Sequence, residues 1–378
     1  MATALVFGAN GISGIALLEA LSATSSSEWA KIIAVSRRPP VLEHKDPRIV
    51  FESIDLLTSP KEIAAKLKHA GAAEATHAFF YSYVAKEDEK ELIDINERLF
   101  RNSTEAVAEV CPKMEVFQLQ VGYKYYGTHK GGKYLRTPQP WKEDLPRHEG
   151  DNFYYVQIDI LKEESKKHSW SWIVTVPNGI VGFSKGNFMS IAVTVALYAV
   201  GRKALGDPLV FPGTTPMYNA TLDCSAAHNN AAFQLFVAKN EKAKNRMFNI
   251  HDGTKQTWAK LWPEIAEYFN IPLTSPPAED PPAHIKVGTD VCVLHPSTEW
   301  AKQHAADFEK IVREHNLQPD SFKYATWDFL DFYAGRTWPD DASMDAAKEI
   351  GWDRKLDSFN DGFKLVFDKL KEEKIIPA

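Results

Sequence analysis

Residues 3–14, TALVFGANGISG, decide the fold. TALVFG is a short apolar run ending on glycine, which predicts a buried strand, and ISGIALLEALSAT then shows helical apolar spacing. Between them Gly8, Gly11 and Gly14 form a Gly-x-x-Gly-x-x-Gly array. Such a turn lets backbone approach a pyrophosphate, whose charge then lies at a helix N-terminus. Glycines alone would say little. Following a first strand and opening a full βαβ unit, they predict a dinucleotide site at Gly8, Asn10, Gly11, Ile12 and Gly14.

The rest of the first half repeats the alternation. KIIAVSRR, RIVFESIDL, THAFFYSYV, MEVFQLQVG and WSWIVTVPNGIVG read as strands, separated by amphipathic helices such as KEIAAKLKHAG and ELIDINERLFRNSTEAVAEV. This predicts an α/β, Rossmann-type doubly wound parallel sheet with helices on both faces. RMFNIHDG is a further short strand, and from Thr257 onward helices dominate. The expected division is therefore a cofactor-binding domain of residues 1–180, to which 208–250 return. Residues 181–207 and 251–378 are expected to form a smaller, mainly helical substrate lobe. The apolar stretch FMSIAVTVALYAVG, 188–201, is too short to span a bilayer and is expected to be a buried helix roofing a pocket.

Composition narrows the function classes. With 44% hydrophobic and 25% charged residues the chain reads as an ordinary soluble globular protein. A net charge of −6 without a basic stripe argues against nucleic acid, leaving a small molecule as the expected partner. Cys111, Cys224 and Cys292 have no metal-ligand spacing, and the histidines form no His-x-x-x-His pair, so no metal site is expected. MATALVFGANG leaves no room for a signal peptide, which makes the cytoplasm the default location.

The end of the second strand bears on the nucleotide. An acidic residue there would accept from the ribose 2′-hydroxyl of NAD. This chain instead has Ser36, Arg37 and Arg38, a hydroxyl and two guanidiniums suited to the 2′-phosphate of NADPH. Asp55 and Leu56, ending the third strand, are expected at the adenine. Tyr81 and Tyr83, ending the fourth, are expected at the ribose or the substrate mouth.

In NFYYVQID, 152–159, Tyr155 and Asp159 share a helix face. Short-chain dehydrogenases carry Tyr-x-x-x-Lys at that spacing, and a carboxylate in place of the lysine makes the phenol harder to ionise. The fifth strand, however, runs into LQVGYKYYG, 119–127 being its turn, and the carboxyl ends of such strands face the ligand crevice. Lys124 is therefore the candidate cation for the Tyr155 phenol.

LQVGYKYYG, DLPRHEGDNFYYVQIDIL and WSWIVTVPNGIVGFS, with ATLDCSAA, MFNIHDG and the closing KIIP, resemble the progesterone 5β-reductase/iridoid synthase family over nearly the whole chain. The resemblance implies an atypical extended short-chain dehydrogenase that reduces the double bond of an enone or enal with NADPH. It also implies Tyr155 and Lys124 as the catalytic pair, and a dimer. Val121, where the family commonly has threonine, and Pro177 with Asn178–Ile180 are expected to wall the nicotinamide. Tyr83, Tyr126, Phe183, Met189 and Trp338 are the expected substrate contacts, Trp338 filling the place of a phenylalanine that WPDDASMD lacks. Carbonyl reduction on the same pair, a non-redox isomerase or cyclase, and an NADPH-sensing binding protein are the alternatives.

Overall fold

The computed structural model describes residues 1–135, 139–186 and 189–378. Its core is a sheet of parallel strands: β1 (Ala2–Phe7), β2 (Trp29–Ser36), β3 (Ile49–Ser53), β4 (His77–Phe80), β5 (Val116–Gln120), β6 (Ser171–Pro177) and, after an excursion, the strand Arg246–Ile250. They lie in the order β3-β2-β1-β4-β5-β6 with Arg246–Ile250 on the far edge. The order reverses between β1 and β4, which opens the crevice where such folds bind ligands. β1 and β4 are almost wholly buried, as parallel strands covered on both faces must be.

Helices α1 (Ile12–Ser22), α2 (Pro60–His69), α3 (Glu89–Val110) and α4 (Phe153–His168) connect the strands. Local chemistry sets their starts. Ser59 and Glu62 cap α2 reciprocally with Pro60 at its first position, Asp88 caps α3, and Asn152 caps α4. Gly8 turns with a φ of +79°, and a Cβ there would stand 2.9 Å from the Ser82 nitrogen. A Cβ on Gly14 would collide with the Gly8 carbonyl, so the glycines hold α1 tightly under the turn.

The chain then leaves through the two-residue β7 (Ile180–Val181) and α5 (Ile191–Ala204), and α6 (Thr215–Asn219) follows. The two-residue β8 (Ser225–Ala226) pairs with β7 and leads to α7 (Ala227–Ala238), which covers the sheet beside α1, before the edge strand β9 (Arg246–Ile250). Past β9 come α8 (Trp258–Phe269), α9 (Ser297–Gln303), α10 (Ala305–Glu314), α11 (Trp327–Gly335), α12 (Asp345–Glu349) and α13 (Lys364–Glu372).

Two boundaries differ from the expected ones. Leu209, Phe211, Met217 and Leu222 belong to the lobe's apolar core, so the return to the sheet begins at Ser225. Met344, Ala347 and Ile350 pack on Phe233 and Phe248 beneath the sheet edge, so the chain crosses back once more near its end. The segment expected to roof a pocket instead runs through the middle of the lobe: every residue of α5 from Ile191 to Gly201 is buried. The first residue of that expected stretch, 188, lies outside the described residues. Among the described residues no helix is long and apolar enough to cross a membrane, and no group of three or more His, Cys, Asp or Glu is gathered as for a metal ion.

Candidate active site

A cleft of about 550 Å³ runs along the carboxyl ends of the strands and is closed on one side by the lobe. Its floor at one end is Gly8, Asn10, Gly11 and Ile12, and Ser36, Arg37, Arg38, Asp55 and Leu56 border it. Gly14 stays beneath, packed on the Gly8–Ala9 backbone rather than lining the cleft. Ser36 donates to the Arg38 carbonyl and Ser53 to the Arg37 carbonyl, fixing the loop while both guanidiniums remain exposed. Lys185 also lines this region, and a Cβ on Gly186 would stand 3.3 Å from Arg38 Nη2. The expected adenine carboxylate, Asp55, already accepts from the Leu57 nitrogen at 3.0 Å. The glycine cradle and a helix N-terminus beneath it fit a dinucleotide pyrophosphate on geometry alone.

A chain of amides underlies this floor. Gln120 donates to Ser13 Oγ at 2.9 Å, Gln234 donates to Gln120, and the Tyr81 hydroxyl donates to Gln234 at 2.7 Å. Tyr81 therefore lines the cleft with its hydroxyl turned into the sheet.

The structure corrects the reading of NFYY. The Tyr155 hydroxyl points away from the cleft: it donates to the Tyr125 carbonyl at 2.7 Å and accepts from the His148 nitrogen at 3.0 Å. Arg147 lies over its ring at 4.7 Å and is held there by a bidentate pair with Asp159. The Tyr155–Asp159 face of α4 is thus turned away from the cleft. Tyr154, one step and about 100° round the helix, lines the cleft instead. Its hydroxyl lies at the end of β5 and β6; a Cβ on Gly122 would be 3.3 Å from it and 3.5 Å from the Pro177 carbonyl oxygen. Burial, with the Tyr83 phenol beside it, raises the Tyr154 pKa, so the group is a hydrogen-bond donor at neutral pH.

Lys124 lines the same cleft from a short turn, Tyr123–Tyr126. Its neighbours explain its direction. Tyr123 donates to Asp223 at 2.7 Å, Tyr126 donates to Asn249 at 2.7 Å, and Tyr125 packs against Tyr155, so three phenols anchor the turn in the core. Lys124 Nζ lies 5.8 Å from the Tyr83 ring centre, and among the described residues no carboxylate pairs with it. Burial lowers its pKa. His129, also in the cleft wall, is pushed down to about 3 by burial first and by Lys124 next, so it is a neutral imidazole.

Val121, Pro177 and Ile180 form the wall beyond the glycine turn, and Tyr83 and Met189 border the far end. Three expected substrate contacts fall elsewhere. Tyr126 and Trp338 are fully buried core residues, with Tyr126 stacked on Trp141, and Phe183 packs against the lobe's core. The lobe supplies other groups instead: Phe329, Phe332, Tyr333 and Arg336 reach the cleft from α11 and the residue after it. Phe329 and Tyr333 stand one helical turn apart with ring centres 5.6 Å apart; that spacing was the available signal in WDFLDFYAG. Arg336 is buried against Asp340 at 2.5 Å, and Asp340 also accepts from Asn178 at 2.8 Å, which ties the lobe to the cleft wall.

Behind Tyr123, burial pushes the Asp223 carboxyl up to about 8, although Tyr123 and the Ala342 nitrogen donate to it. With the folded pKa raised above the usual 3.8, the unfolded chain ionises first. Stability then falls as pH rises from 3.8 to about 8, by at most about 1.4 kcal/mol per unit from this group. Denaturation midpoints of Asp223→Asn measured across that range are expected to fall less steeply than those of the wild type; parallel profiles would contradict this.

A model described as the PRISE-like Rossmann-fold domain matches residues 4–377. The chain is 32% identical over 382 residues to a short chain dehydrogenase of Penicillium aethiopicum, covering 99% of each. It is 33% identical over 380 residues to an (S)-8-oxocitronellyl enol synthase of Nepeta racemosa, covering 99% of this chain and 93% of that one. It is 32% identical, with the same coverage, to a 3-oxo-Delta(4,5)-steroid 5-beta-reductase of Arabidopsis thaliana. A UDP-glucose 4-epimerase of Thermotoga maritima superposes with a TM-score of 0.66 over 98% of this chain and 99% of that one. At 13% identity, that likeness concerns the fold alone.

Proposed function

The chain belongs to the PRISE-like Rossmann-fold family and is a nicotinamide-dependent oxidoreductase of the short-chain dehydrogenase/reductase superfamily; from that premise we propose that it reduces an activated carbon–carbon double bond with NADPH. The observation that carries the proposal is the Tyr154 hydroxyl at the Gly122–Pro177 end of the cleft, which Lys124 also lines. Names of relatives support it: one is a steroid 5-beta-reductase and another an enol synthase.

Ser36, Arg37, Arg38 and Lys185 would hold a 2′-phosphate, and Gly8, Asn10, Gly11 and Ile12 the pyrophosphate. When bound, NADPH supplies the hydride. As the substrate's β-carbon accepts it, the π electrons move to the carbonyl oxygen. The Tyr154 hydroxyl donates a hydrogen bond to that oxygen as its negative charge develops. Lys124, with no paired carboxylate among the described residues and partly desolvated, adds a positive potential that favours the same charge. Tyr154 keeps its proton because burial disfavours the phenolate, and the α-carbon takes its proton from water. Phe153, Tyr83, Phe329, Phe332 and Met189 give the remaining wall an apolar character suited to a hydrophobic acceptor.

The test is NADPH oxidation with matched pairs of enone and saturated ketone. Turnover with the enone alone, yielding a saturated carbonyl, is the expected result. Alcohol from the saturated partner would move the chemistry to the carbonyl carbon.

A further inference from the structure

We infer that Asn152 is a positioning residue that fixes the turn carrying Lys124 against the helix end carrying Tyr154; the inference rests on the roles proposed above for those two groups. Asn152 is 3% exposed and uses its whole amide. Its Oδ1 accepts from the Tyr154 nitrogen at 3.0 Å, capping α4. Its Nδ2 donates to the Lys124 carbonyl at 2.7 Å and to His148 Nε2 at 2.9 Å. The cap settles which end of the amide is oxygen, because a backbone nitrogen can only donate to it. His148 Nε2 must then accept, so its Nδ1 carries the proton and donates to the Glu149 carbonyl at 2.8 Å.

The same two segments are joined a second time. The His148 nitrogen donates to the Tyr155 hydroxyl, which donates to the carbonyl of Tyr125, the residue after Lys124. Asn152, His148 and Tyr155, all buried, thus close a ring around the Lys124 turn. Within that ring Asn152 bonds to both Tyr154 and Lys124. A helix cap needs only an acceptor, which serine or aspartate supplies equally well. The two donated bonds need an amide. The physical consequence is that substitution separates the cap from the brace.

The experiment uses Asn152→Ser and Asn152→Asp in the full chain, with melting temperature, NADPH dissociation constant and enone kcat as readouts. Both variants keep a capping oxygen, and neither can donate to the Lys124 carbonyl and His148 together. The expected result is a melting temperature lowered by the buried acceptors left unmet, to an extent comparable with Tyr155→Phe, with near-native NADPH affinity and kcat lowered about tenfold to hundredfold, as small misplacements of reacting groups produce. Added to Lys124→Met, which is itself expected to be slow, Asn152→Ser should cost less than about threefold more, because it acts through that lysine. A wild-type kcat in either variant would overturn the brace. So would losses that simply multiply with Lys124→Met. If Lys124→Met and Tyr154→Phe both turn over normally, the functional reading fails and the brace with it. A slow Lys124→Met beside a fully active Asn152→Ser removes the brace alone.

Discussion

Tyr154→Phe is expected to lower kcat for enone reduction by about 10²–10³-fold, the usual loss when one donor to a developing oxyanion is removed. NADPH affinity should hardly change, since the hydroxyl lies toward the Pro177 end of the cleft rather than at the glycine turn. Tyr155→Phe makes the contrast. Its hydroxyl bridges the His148 nitrogen and the Tyr125 carbonyl, both in a buried setting. Losing it leaves two backbone groups short of a partner, at about 1–3 kcal/mol each at most. The expected signature is a lower melting temperature with a loss of kcat at least tenfold smaller than in Tyr154→Phe. Steady-state kinetics and thermal melts of the pair check this, and a larger kcat loss in Tyr155→Phe would reverse the assignment.

The double substitution Arg37→Ala, Arg38→Ala is expected to raise KM for NADPH by about 10²-fold, since hydrogen bonds to charged groups are each worth about 1.5–3 kcal/mol. Both guanidiniums border the cleft at the end of β2, on a loop whose shape Ser36 and Ser53 hold through backbone carbonyls. The loop should therefore survive the change. KM for NADH, which has no 2′-phosphate, should move less than about threefold. Measuring both coenzymes in one variant separates charge recognition from general damage. An equal loss for each would deny the arginines that role.

Much of the architecture was legible because parallel strands and amphipathic helices have different periods. TALVFGANGISG states a strand, a turn and a helix within twelve residues. The turn after β5 was legible for a related reason: parallel strands deliver their carboxyl ends to one crevice, so Lys124 had to lie near it. Which tyrosine of NFYY faces inward was not. One residue is about 100° of helix, and that phase is set by the cap at Asn152 and by the Arg147–Asp159 pair outside. Tyr126 and Trp338 read as pocket residues because large rings suit both a pocket and a core, and the core took them. Phe329, Phe332, Tyr333 and Arg336 cross to the cleft from far along the chain, and local pattern carries no information on such an approach.

The fate of a deuteride carried on C4 of NADPH during single turnover of a simple enone distinguishes reduction of the double bond from reduction of the carbonyl. Label is expected on the β-carbon of a saturated carbonyl product, with the α-hydrogen drawn from solvent. Label on the carbinol carbon of an allylic alcohol would contradict reduction of the double bond.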